Sequence, residues 1–151
     1  MYFPDLSRAT PRRRSAKYAL KYIGWLDKQH EFVRGEVSEE FLDCLWLFCR
    51  EPISDSFGSH ACEFCEDAWP GIGTRAVRNN EAISLGSSEI YVFDDANTIV
   101  YKAPNLIYHY IVEHSYQPPR EFIDAVISNA KDLESHTYID QMKQLRKDGW
   151  G

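Results

Sequence analysis

Two short motifs restrict this chain more than any other feature: Cys62-x2-Cys65 and, much later, His109-x4-His114. A Cys-x2-Cys turn brings two thiolates to one cation, and two imidazoles complete a tetrahedral set that suits zinc. One ion shared by Cys62, Cys65, His109 and His114 would close the intervening chain into a loop. Any fold must then place the cysteine turn against the histidine segment. The 43 residues between Cys65 and His109 exclude the DNA-reading ββα finger, which has about 12 there.

The ligand set has an open choice. His60 precedes the pair as His60-x-Cys62, so it is an alternative ligand that would leave only one of His109 and His114 to bind. His109 and His114 are five apart, a rotation of ~140° on a regular helix. Both reach one ion only if the helix end frays or tightens near His114. Simple burial of the thiols, with ordinary hydrogen-bonded histidines, is the competing reading. A redox role wants the cysteine pair at a helix N-terminus beside a βαβ unit, and no such context is legible. Glu113 next to His114 invites comparison with the His-x-x-Glu-His motif of inverted zinc peptidases, but the spacing from His109 is one residue too long. Two thiolate ligands also mark a closed, structural site. Glu113 then reads as a solvated carboxylate or one that orients a histidine.

The rest of the chain reads as an α+β fold: a small antiparallel sheet or hairpin packed with three or four helices, and a long loop region carrying the knuckle. The 151 residues fit a single domain, 1–151, with an irregular arm over 1–17 and a tail over 134–151 holding a short helix near 138–147. A hydrophobic fraction of 44% is enough to bury a core. Ser38 caps the clearest helix, with Glu39 and Glu40 in its first turn and Phe41, Leu42, Leu45, Trp46, Phe48 and Cys49 on one face. Cys44 and Cys49 read as small buried hydrophobes in that run. Residues 18–27 suggest a short strand. Ser88–Phe93 and Thr98–Lys102 read as strands joined by the turn Asp94-Asp95-Ala96-Asn97. A helix opens near Pro104 and runs to about His114, and another covers about Pro119–Leu133. Residues 53–87 read as irregular, and a loop this long wants something to pin it.

Net charge is −6, which argues against broad binding to nucleic-acid phosphates. The one basic cluster, Arg8, Arg12, Arg13, Arg14, Lys17 and Lys21, reads as a solvated arm or a small anion patch. No apolar run approaches the ~18 residues of a membrane helix, and the N-terminus lacks a signal-peptide pattern. A cytoplasmic protein with reduced thiols is expected.

Several blocks are similar to a bacterial single-domain family of unknown function. They are Met1-Tyr-Phe-Pro-Asp-Leu-Ser7, Gly24-Trp-Leu-Asp-Lys-Gln-His30, His60-x-Cys-Glu-Phe-Cys65, Tyr101-Lys-Ala-Pro-Asn-Leu-Ile-Tyr-His-Tyr110 and the run from His114 to Val126. The resemblance covers most of residues 1–127 and includes counterparts of His30, His60, Cys62, Cys65, His109 and His114. It implies no activity. Three functions compete: a protein-interaction module held by structural zinc, possible in a toxin-neutralising version, with a protein partner or a second copy; a metal-dependent hydrolase with Glu113 or Asp67 as base; and nucleic-acid binding through the arginine arm.

Overall fold

The structure, a computed structural model, describes residues 2–11, 14–50, 54–55, 61–65 and 74–150. Helix α1 spans Glu39–Arg50 and starts where its cap demands. The Ser38 hydroxyl accepts a hydrogen bond from the Phe41 amide at 3.1 Å, filling one of the donors a helix start leaves open. The apolar stripe of α1 is buried, and Cys49 is among the least exposed of its residues. Cys44 is only half-buried.

Among the described residues, the strands are, in chain order, β1 (Ala19–Tyr22), which precedes α1, then β2 (Ser54–Asp55), β3 (Thr74–Arg78), β4 (Glu81–Leu85), β5 (Ser88–Phe93) and β6 (Ile99–Pro104). They form a four-stranded sheet in the order β1-β6-β5-β2 and a separate two-stranded hairpin, β3-β4. The architecture is α+β, with one correction: the larger sheet is mixed, not antiparallel throughout. β5 and β6 form the expected antiparallel hairpin, but β1 lies parallel to β6, with Leu20 opposite Val100. The chain leaves β1 and returns only after α1 and the whole knuckle region, and so long a connection permits parallel pairing.

The β5–β6 turn is held by Asp94, whose carboxylate accepts from the amides of Thr98 at 2.9 Å and Ile99 at 3.0 Å. Ile90, Tyr91, Val92 and Phe93 alternate between the two faces of β5. All four are buried, because both faces of β5 are covered. Helix α3 (Arg120–Asn129) packs Phe122 against Tyr101 on one face, and α4 (His136–Lys147) packs Tyr138 against Phe93 on the other. A short 3₁₀ turn, Ala130–Asp132, separates those helices.

Residues 74–85 were expected to be irregular and instead pair in register from Thr74–Leu85 to Arg78–Glu81. Asn79 and Asn80 both have positive φ, the backbone of a tight hairpin turn. The hairpin is clamped to α1. Arg78 donates to Glu39 at 2.8 Å and to Asp43 at 3.0 Å, and Trp46 Nε1 donates to Glu81 at 2.6 Å.

At the other end of the sheet, residues 3–9 run antiparallel to β1. Leu6 N donates to Tyr22 O at 2.8 Å, and Tyr22 N donates to Ser7 O at 2.9 Å. Phe3 stacks on Tyr22 with ring centroids 3.8 Å apart. The edge of β1 is thereby covered.

Candidate metal centre

Helix α2 (Ile107–His114) carries both histidines. Its start is three residues later than the Pro104 expectation, because Pro104 still belongs to β6 and Asn105 is used to join segments. The buried Asn105 side chain accepts from Gly86 N at 2.8 Å, and its backbone amide donates to Ser88 O at 2.9 Å. This fixes the origin of α2 against the sheet. Ile107, Tyr108, Tyr110 and Ile111 face inward. Ile107 also packs over Gly24, where φ is +74° and an added Cβ would sit 2.9 Å from its side chain.

The end of α2 resolves the five-residue spacing of the histidines. Ser115 adopts the left-handed conformation at φ 59°, and its amide donates to Tyr110 O, five residues back. Tyr116 N donates to the same oxygen at 3.1 Å. The last turn is therefore wider than an α-turn, of the π type. It neither frays nor tightens, as the spacing had suggested. Widening takes up the extra residue, and the His109 and His114 rings come to 5.1 Å between centroids.

The knuckle meets them there. Cys62 Sγ lies 3.3 Å from His114 Nε2, and Cys65 Sγ lies 3.2 Å from His109 Nε2 and 3.4 Å from His114 Nε2. All four ligand atoms lie within 4.8 Å of one another. Zinc bonds of ~2.3 Å to sulfur and ~2.0 Å to nitrogen in a tetrahedron put sulfur about 3.6 Å from nitrogen. The observed sulfur–nitrogen distances are close to that edge length, so a metal would need only small side-chain movements. Both imidazoles present Nε2, the same donor atom.

Cys62 is buried, and Cys65 and His114 are half-buried. Burial pushes the Cys62 thiol up to about 11. Burial, then the neighbouring His114, holds the His109 imidazole below its ordinary value. Such a pocket favours neutral groups and would gain from a cation that neutralises two thiolates. Burial, then nearby Cys62, also raises the Tyr110 phenol, which is therefore neutral at the side of the site.

Phe64, between the two cysteines, is the residue that sequence reasoning passed over. Its ring lies 5.3 Å from Phe32, 5.8 Å from Tyr110 and 5.5 Å from His114. Its place between the cysteine pair was the signal. Glu113 is exposed and, among the described residues, makes no hydrogen bond to either histidine. His30 stands apart from the cluster: it pairs with Asp27 at 2.7 Å and stacks on Tyr2. His60, Asp67, Arg12 and Arg13 lie outside the described residues.

Fold and site define an α+β protein with a Cys2His2 cluster of metal-binding dimensions. The chain belongs to the family described as Domain of unknown function (DUF7919), whose model matches residues 1–127. That range takes in the arm, the knuckle, both histidines and most of α3, and stops short of α4. Neither curated proteins nor solved structures give a match. Among the described residues, no helix is long and apolar enough to cross a membrane.

Proposed function

We propose that the protein is a cytoplasmic, single-domain binding module in which zinc, held by Cys62, Cys65, His109 and His114, fastens the knuckle to α2, and that its role is to engage a protein partner. A toxin-neutralising protein is one concrete version. The observation that carries the metal reading is the spacing of the four ligand atoms, all within 4.8 Å of one another. Two sulfurs and two nitrogens are the donor set of closed structural zinc sites. Four protein ligands leave no position for a water, which counts against the hydrolase alternative. The net charge of −6 counts against phosphate-backbone binding by the arginine arm and favours a partner with a complementary basic region.

Elemental analysis of the purified protein tests the metal. One equivalent of zinc is expected, and loss of it in Cys62→Ser and in His109→Ala. Native protein without metal would end the reading. Recovery of a stoichiometric protein partner, or a dimer in solution, is the expected result for the interaction role; a monomer with no partner would remove it.

A further inference from the structure

The N-terminal arm reaches the metal site through one carboxylate. Asp5 is half-buried and uses both oxygens: Oδ1 accepts from Gly24 N at 2.9 Å and Oδ2 from the Tyr116 hydroxyl at 2.7 Å. The two donors belong to opposite ends of α2. Gly24 packs against Ile107, the first residue of the helix, and Tyr116 is the second residue after His114, the last. Tyr116 is fully buried, which keeps bulk water from taking the place of the carboxylate.

Both partners of this bond are fixed by their own neighbours. On the arm, Phe3 N donates to Trp25 O at 3.2 Å and Leu6 N to Tyr22 O at 2.8 Å, and Tyr2 stacks on His30 with ring centroids 3.8 Å apart. Past α2, Gly35 N donates to Ser115 O at 3.0 Å and Gln117 N to Val33 O at 2.9 Å. Tyr116 N donates to Tyr110 O, the oxygen that the Ser115 amide also uses. A displaced Tyr116 would therefore disturb the wide turn that sets His114 Nε2 at 3.3 Å from Cys62 Sγ and 3.4 Å from Cys65 Sγ.

We propose that Asp5 is a positioning residue of the metal centre, acting through Tyr116, and that docking of the arm and loading of the metal strengthen one another. The inference rests on the metal reading. Coupling between two binding events is reciprocal, so the factor that the docked arm adds to metal affinity is the factor that the metal adds to arm docking.

The test uses the full chain and begins with the zinc content of the native protein, so a protein without metal would sink the earlier reading separately. Zinc affinity is then measured by competition with a chromophoric chelator. In Asp5→Asn the amide nitrogen would face one of the two donors. Asp5→Asn and Tyr116→Phe are each expected to weaken zinc binding about tenfold, and the double variant about as much as either, since both remove the same bond. Asp148→Asn is the control. Its carboxylate accepts from the amides of Lys17 at 2.9 Å and Tyr18 at 3.2 Å, at the opposite end of β1 from Gly24, so it should lower the Tm and leave zinc affinity unchanged. In the native chain, chelation should speed hydrogen exchange at the Leu6 and Gly24 amides about tenfold and leave the amides of β6 as they were. That measurement needs no substitution, so it decides the matter even where a variant fails to fold. Unchanged zinc affinity in Asp5→Asn or Tyr116→Phe, an equal loss in Asp148→Asn, or arm exchange indifferent to chelation would each overturn the proposal.

Discussion

Ser115 caps the helix that carries His109 and His114, its amide donating to Tyr110 O. A serine at φ 59° pays for a left-handed backbone, a conformation that costs an ordinary residue roughly 1–2 kcal/mol. Glycine adopts it freely. Ser115→Gly should therefore keep metal binding and raise stability by about 0.5–1 kcal/mol in urea unfolding, the gain being trimmed by the greater freedom of the unfolded chain. Ser115→Pro, which locks φ near −65° and removes the amide bonded to Tyr110 O, should lose metal affinity. Gly24 shows the opposite case. Gly24→Ala adds a Cβ 2.9 Å from Ile107 at a φ of +74°, and should cost about 2 kcal/mol or more by the same measurement. Residue types and spacing made the four candidate ligands legible in the sequence. The wide turn that unites the histidines was not legible, because it depends on tertiary contacts: Tyr116 is fully buried and donates to Asp5 at 2.7 Å, and that anchor draws the chain off the helix axis.

Among the elements, the β3–β4 hairpin shows how a side-chain clamp substitutes for an apolar face. Val77 is 70% exposed, so the hairpin buries little on its outer side. Arg78 binds two α1 carboxylates that are themselves exposed, which are individually weak partners, and it also donates to the Tyr108 hydroxyl at 3.3 Å. Removing it strips several bonds at once. Arg78→Ala should cost about 1–2 kcal/mol, and Arg78→Lys should recover only part, since an ammonium lacks the planar fork. A Trp46 emission shift would report release of the hairpin, because Trp46 Nε1 donates to Glu81 on β4. Alternation around Asn79-Asn80 was a readable hairpin signal, masked by the glycines and proline upstream. Helix α1 and the β5–β6 hairpin were readable because cap, periodicity and turn chemistry agreed locally. The parallel pairing of β1 with β6 was not, since no local pattern distinguishes parallel from antiparallel neighbours for a four-residue strand.

For the whole molecule, the question is how much of the fold would depend on a metal at the Cys2His2 cluster. The core formed by α1, α3, α4 and the larger sheet buries Phe41, Leu45, Phe93, Val100, Tyr101 and Phe122 without help from the knuckle. An ion held by the knuckle and α2 would thus be a clip on a folded body, unlike the zinc fingers that unfold without it. Chelation should leave far-ultraviolet circular dichroism nearly unchanged, lower the Tm and open Cys62 and Cys65 to a thiol reagent; collapse of the helical signal would show instead that the metal holds the core. The pH dependence has a definite sign. Thiols are ordinarily protonated at neutral pH, with values of about 8.5, and burial moves Cys62 further up, to about 11. Metal uptake must therefore expel the proton from each sulfur. Affinity should rise with pH by about a hundredfold per unit while both thiols start protonated, and metal-linked stability should be lost as pH falls. The depressed His109 delays competition by imidazole protons to lower pH. Proton release on zinc addition, followed with an indicator in weak buffer at pH 7, should approach two per ion. A value near zero would mean that the sulfurs do not bind as thiolates, and the four-ligand site would fail with it.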